Sequence, residues 1–363
     1  MNGTAMNKVY VIAEAGVNHN GSLDMAKELV EVAAKAGADA VKFQTFRADR
    51  LVSGTAPKAE YQKISSGADE SQYAMLKRLE LGEEAHAELI RHCQVHGIQF
   101  LSTPFDAESV ELLGTTLDLP TIKIPSGEIT NAPLLLKIAR LGKPVIMSTG
   151  MCTLADVEAA LGVLAFGFTC PQADPGVTRF QEAYASAEGQ QALREKVTLL
   201  HCTTEYPAPF AEVNLRAMDT LASAFGLAVG FSDHTEGIAI PVAAVARGAV
   251  IIEKHFTLDR ALPGPDHKAS LEPGDLCQMV QAIRQVEVAL GSGRKVPAPS
   301  EVKNAAVARK SIVAASDIRA GEIFSSDNLC IKRPGGGVSP LRYWEVVGRP
   351  ADRNYAKDEV VDL

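Results

Sequence analysis

Two histidines, His234 and His255, stand 21 residues apart in the stretch VGFSDHTEGIAIPVAAVARGAVIIEKH, residues 229–255. Each follows a short apolar run, and the residues between them are rich in Ala and Val. Strand, helix, strand at this length is one βαβ unit, whose two strands run parallel. Parallel strands finish on the same side of a sheet, so both imidazoles emerge there together. Neighbouring neutral imidazoles are good ligands for a divalent metal. Taken alone, either histidine also reads as a polar cap bonded to a nearby loop. Their equivalent placement favours the metal pair.

Lys42 and Lys123 also lie at the ends of apolar runs, with Ser126, Gly127 and Ser148 at the junctions that follow. Lysines, hydroxyls and free backbone N–H groups together make a phosphate cradle. Each charge-assisted hydrogen bond there contributes about 1.5–3 kcal/mol. Several of them can hold a phosphorylated metabolite inside an acidic protein. The lysines have two other readings: ion pairs with Glu14 or Glu128, or a Schiff base of the kind barrel aldolases form. Two lysines accompanied by two metal-disposed histidines favour phosphate plus metal. Glu14 ends the first apolar run, where it can act as general acid or base. It can equally be a structural carboxylate accepting loop N–H bonds.

The elements that must position these groups alternate in type. Apolar runs occur at 9–13, 40–44, 99–102, 121–124, 144–147, 197–200, 229–232 and 250–253, each followed by a helical segment or turn. Eight such units are the count of a TIM (β/α)8 barrel. Polar residues gather at the run ends: Glu14, Lys42, Thr103, Lys123, Ser148, His201, His234 and His255. A barrel draws such ends into one ring around one pocket. A doubly wound open sheet would collect only those near its switch point. The barrel is expected over 1–290. A linker over 291–305, opening GSGRKVPAPSE, precedes a β-rich tail, 306–363. About 60 residues make a marginal core alone, so the tail should dock on its own barrel or a partner's. In the tail, Lys332 and Arg333 precede PGGG, either as a seat for an anionic or polar ligand or as a solvated charged turn. The polar loop 45–81 reads as an active-site cover. The segment 166–196 is mixed in polarity and is expected outside the pocket.

Composition narrows the functional classes. The chain has 363 residues, 46% of them hydrophobic, and a net charge of −8. An acidic balance argues against a nucleic-acid binder, which needs excess Lys and Arg for phosphates. The six cysteines are scattered, without CxxC pairs, as expected of reduced thiols in the cytoplasm. The start, MNGTAMNKVYVIAEAG, lacks the apolar core of a signal peptide, and no stretch has membrane-spanning length.

In order, the chain contains IAEAGVNHNG, VKFQTF, STPFD, KIPSGE, STGM, HCTTEYPAP, GFSDHT, EKHFTLDR and PGPDH, then DIRAGE and NLCIKRPGGG. Over nearly its whole length it resembles the sialic acid (nonulosonate) synthase family, the tail resembling that family's antifreeze-like (SAF) domain. The resemblance implies a TIM barrel with an SAF domain. It also implies condensation of phosphoenolpyruvate with an open-chain N-acetylated hexosamine, giving a nine-carbon 2-keto acid and phosphate. A divalent metal, Mn2+ or Mg2+, would be held by His234 and His255. Glu14 matches the catalytic carboxylate. Lys42, Thr103, Lys123, Ser126, Ser148 and Ser232 match phosphoenolpyruvate contacts, and Gln44, Glu128, Tyr206 and Asp266 match sugar-side positions. Arg333 matches an arginine that serves the other subunit's barrel in a domain-swapped homodimer. Thr204 stands where N-acetylmannosamine-specific members tend to have Asn. The form HCTTEYP resembles the legionaminic acid synthases, which act on 2,4-diacetamido-2,4,6-trideoxymannose. N-acetylneuraminate synthase and pseudaminic acid synthase are the alternatives within the family. A non-enzymatic binding module is the alternative outside it.

Overall fold

The computed structural model describes residues 8–53, 56–58 and 71–362. Eight strands form one sheet: Tyr10–Gly16 (β1), Ala40–Thr45 (β2), Gln99–Pro104 (β3), Ile122–Ile124 (β4), Val145–Ser148 (β5), Val197–His201 (β6), Ala228–Asp233 (β7) and Ile251–His255 (β8). Every hydrogen-bonded pair is parallel, and the order is β3-β2-β1-β8-β7-β6-β5-β4. The first strand thus pairs with the last, and β3 and β4 come side by side to close the ring. This is the expected barrel.

Two apolar layers follow from the period-2 alternation of strands. Outward residues such as Val11, Val41, Leu199 and Ile252 pack against the surrounding helices. Inward residues Ile12, Ala40, Leu101, Ile146, Leu200 and Ile251 meet one another as a separate cluster. They fill the barrel, as in a packed TIM core. The helices are ended by ordinary local chemistry. Ahead of the helix Leu23–Ala36, the Ser22 hydroxyl accepts a bond from Met25 N, and Gly37 closes it at φ 83°.

The segment 166–196 continues the helix Leu154–Thr169 and then forms two more, Val177–Ala185 and Ala187–Lys196. Both pack on Leu154–Thr169. Of the loop 45–81, the short helix Ala48–Leu51 and the helix Gln72–Leu79 are described, while residues 54–55 and 59–70 lie outside the described residues.

A second unit begins at Ser292. Its first helix, Pro299–Ala308, occupies part of the expected linker, with Pro299 leading it and Glu301 accepting a bond from Ala298 N. Strand Ser311–Ala314 (β9) pairs antiparallel with Leu329–Lys332 (β10). A small core of Ile312, Ile318, Phe324, Leu329, Val346, Tyr355 and Val361 holds the rest. Arg333 follows β10 and is exposed.

Candidate active site

The interior plug also explains the site. Two residues beyond Ile12, Ala40, Leu101, Ile146, Leu200 and Ile251 come Glu14, Lys42, Thr103, Ser148, Cys202 and Glu253. The same alternation that buries the plug turns these side chains inward, one level higher. Lys123 on β4 and Ser232 on β7 join them. All of these line a cavity of about 370 Å³ at the C-terminal mouth of the barrel. His234 and His255 stand one alternation further up and line it too, as do Gln44, Ser126, Glu128, Tyr206 and Asp266. Thirteen of the fourteen expected site residues therefore share one cavity; the fourteenth, Arg333, belongs to the second unit.

His201 departs from the expected ring. It is out of phase by one residue: Leu200 and Cys202 face the barrel, so His201 faces away. Its Nε2 lies 2.7 Å from the Val213 carbonyl, and its ring packs on Phe231. Phase also separates Glu253 from Lys254. Lys254 turns outward into a fully buried ion pair with Asp233 at 2.6 Å, and also donates to the Thr235 carbonyl.

Glu253 was not anticipated, yet it organises the cavity floor. Its carboxylate lies 3.5 Å from Lys123 Nζ and 3.6 Å from Lys42 Nζ, and accepts a 2.8 Å bond from Ser232 Oγ. Burial pushes its pKa up, but the two ammonium groups and the hydroxyl outweigh burial and hold it low. Lys42 also pairs with Glu14 and donates to Thr103 Oγ1 at 3.1 Å. Lys123 donates to Ser148 Oγ at 2.7 Å. For Glu14, burial wins: with the Glu253 charge nearby, its pKa rises despite Lys42. The lysines thus have ion-pair partners, and the hydroxyl-lined seat around them also exists. Glu128 is not one of those partners; it accepts a bond from Asn131 Nδ2 at 2.7 Å.

The imidazoles of His234 and His255 have ring centroids 5.6 Å apart, and the Tyr206 ring lies 4.1 Å from the first and 5.6 Å from the second. Burial lowers the pKa of His234 to about 4 and puts His255 well below its ordinary value, so both are neutral at pH 7. His234 Nδ1 sits 2.6 Å from the Thr203 carbonyl, which fixes it as the N–H and leaves Nε2 as the lone-pair nitrogen. His255 Nδ1 is buried with no hydrogen-bond partner among the described residues. Two neutral imidazoles, one carrying an orphaned nitrogen, fit a divalent metal. Asp266 lines the same cavity, and burial raises its pKa to about 6.

Two glycines are required by close approach. Gly16, at φ +55° in the irregularity of β1, would bring a Cβ to 3.3 Å from Glu14 Oε1 and 3.5 Å from His255 Cε1. At Gly150, a Cβ would fall 2.3 Å from Thr204 Oγ1 and 2.9 Å from Ser126 Oγ.

The sequence profile of the NeuB family matches residues 29–295, and that of the SAF domain matches residues 309–362. The chain belongs to the NeuB family. This NeuB-family chain is 53% identical over 356 residues to the N,N'-diacetyllegionaminic acid synthase of Campylobacter jejuni subsp. jejuni serotype O:2, covering 98% of this chain and 99% of that protein. It is 46% identical to the N,N'-diacetyllegionaminic acid synthase of Legionella pneumophila subsp. pneumophila, covering 95% and 91%. Among solved structures it is similar to the N-acetylneuraminic acid (sialic acid) synthetase of Leptospira borgpetersenii serovar Hardjo-bovis. The TM-score is 0.65 at 31% identity, over 84% of this chain and 94% of that one. The family resemblance drawn from the motifs thus holds for barrel and tail alike.

Proposed function

We propose that this NeuB-family chain is a legionaminic-type nonulosonate synthase. It condenses phosphoenolpyruvate with 2,4-diacetamido-2,4,6-trideoxymannose, giving the nine-carbon 2-keto acid and phosphate. The observation that carries the chemistry is the placement of Lys42, Lys123 and the paired imidazoles in one cavity. The identity to two N,N'-diacetyllegionaminic acid synthases supports the choice of sugar.

In this reading Lys42, Lys123, Thr103, Ser126, Ser148 and Ser232 seat phosphoenolpyruvate by charge-assisted hydrogen bonds. Gln44, Glu128, Tyr206 and Asp266 face the sugar. His234 and His255 hold the divalent ion, Mn2+ or Mg2+, with nitrogen donors favouring Mn2+. When bound, such an ion supplies Lewis-acid polarisation of the aldehyde oxygen. C3 of phosphoenolpyruvate bonds to the aldehyde carbon, whose oxygen takes a proton from Glu14 and becomes a hydroxyl. Water adds to the cationic C2 and gives up a proton to Glu14. The tetrahedral carbon then breaks its C–O bond, keeping the oxygen that came from water and releasing phosphate to the lysines. The raised pKa of Glu14 suits it to taking and returning a proton near neutrality.

The exposed Leu341 and Trp344 of the second unit support a homodimer joined through the SAF domain, in which Arg333 serves the partner's sugar. All six cysteines are free, which supports the cytoplasm as compartment. Among the described residues no helix is long and apolar enough to cross a membrane. The deciding experiment measures phosphate release with each sugar in turn. Turnover of the diacetamido sugar supports the reading; turnover of N-acetylmannosamine alone replaces it with N-acetylneuraminate synthesis.

A further inference from the structure

We infer that Glu31, His92 and His96 form a second divalent-metal site, of the zinc class, on the outer helices of the barrel. Glu31 lies on the helix Leu23–Ala36, and His92 and His96 lie on the helix Glu83–His96. The two histidines are four residues apart, so their side chains project from one helix face. Their rings are 4.6 Å apart between centroids. Both approach the same oxygen of Glu31: His92 Nε2 at 3.1 Å and His96 Nε2 at 4.0 Å. One ligand atom from each of the three residues lies within 4.8 Å of the others. Tetrahedral zinc bonds of about 2.0–2.2 Å put donors roughly 3.3 Å apart. One pair already meets that spacing, and small rotations of partly exposed side chains bring in the rest.

An ordinary imidazole–carboxylate hydrogen bond explains the contact of His92 with Glu31. It does not explain why His96 converges on the same oxygen with its ring turned towards that of His92. Three donors converging on one point are what a small cation collects. Two nitrogens and one carboxylate favour Zn2+ over the hard, oxygen-seeking cations. His96 also lies in the last turn of its helix, where the dipole favours positive charge.

The site is distinct from the cavity. Barrel helices run antiparallel to the strands, so the C-terminal end of Glu83–His96 lies at the opposite end from His234 and His255. None of Glu31, His92 or His96 lines the cavity. The ion would strap the first two barrel helices together where Lys27 and Glu88 already pair at 3.0 Å.

The test is zinc stoichiometry, by equilibrium dialysis, on the untagged full chain. Wild type, the H92A/H96A double variant and H255A are compared, with thermal midpoints in chelator confirming that each is folded. H92A/H96A is expected to lose one zinc equivalent per chain relative to wild type, and H255A to keep that equivalent. Zinc should also raise the thermal midpoint of wild type more than that of H92A/H96A, as ligand binding to the folded state requires. Equal stoichiometry in wild type and H92A/H96A overturns the inference.

Discussion

A single carboxylate, Glu253, sits between the two lysines of the cavity, so each ammonium group is held without being buried unpaired. Lys123 donates to Ser148 Oγ and to the Ile124 carbonyl, and in the proposed function its third N–H turns to the phosphate of phosphoenolpyruvate. Lys123→Met should raise the KM for phosphoenolpyruvate by about 10–100-fold, the equivalent of one charge-assisted contact, as read from initial rates. Asp266 gives a pH signature. An unfolded aspartate loses its proton near pH 4, whereas the folded one keeps it up to about 6. The native state therefore binds more protons between those values. The stability that comes from the neutral carboxyl is complete below about pH 4 and is lost as pH rises through 6, by about 3 kcal/mol. Asp266→Asn stays neutral. In urea unfolding it should gain on wild type between about pH 4.5 and 7, and an unchanged difference across that range would refute the assignment. Glu253 and His201 also show what could be read in advance. His234 and His255 were legible because a βαβ unit puts both strand ends on one side. For Glu253 and His201 the end of an apolar run does not fix inward or outward phase, and one residue of phase is a whole barrel wall.

Between residues and molecule, elements fix the site through contacts no motif displays. Gly150 lies where three side chains of the cavity converge, those of Thr204, Ser126 and Cys202. Gly150→Ala should cost about 1–3 kcal/mol in chemical denaturation and lower kcat/KM, because the methyl displaces Thr204 or Ser126. Behind the two histidine strands, Asp233 and Lys254 tie β7 to β8 from the outer side. Lys254→Met leaves Asp233 buried and unpaired. It should destabilise the chain by about 3–5 kcal/mol, measured the same way. The segment 166–196 resisted reading for a related reason. The helix Leu154–Thr169 buries every residue from Ala160 to Gly167, so it carries almost no amphipathic period. The two short helices that cover it bury few residues, Ala183 on one and Gly189 and Leu193 on the other. The eight strands were easier to place, because both faces of a barrel strand are buried and give unbroken apolar runs.

At the scale of the whole molecule, the proposed sharing of Arg333 between subunits has a direct consequence. An R333A chain keeps its barrel and an E14Q chain keeps its arginine, so each variant alone should be poorly active. Unfolded together and refolded as a mixture, they should recover about a quarter of wild-type activity, since half the dimers then carry one complete site of two. No recovery above the separate variants would mean that each arginine serves its own barrel, or that the chain works alone. The second unit begins at Ser292, where Gly, Pro and Ser content rises, and the helix Pro299–Ala308 lies within the same composition.

The plug of Ile12, Ala40, Leu101, Ile146, Leu200 and Ile251 closes the barrel from below. Among the described residues that hydrocarbon floor leaves the C-terminal mouth as the way in and out of the cavity. The anion seat is the lower storey and the imidazoles the upper one. On the proposed function, an occupant of the upper storey would stand over the lower one, so phosphoenolpyruvate should enter before the sugar and phosphate should leave after the sugar acid, an order that product-inhibition kinetics would check.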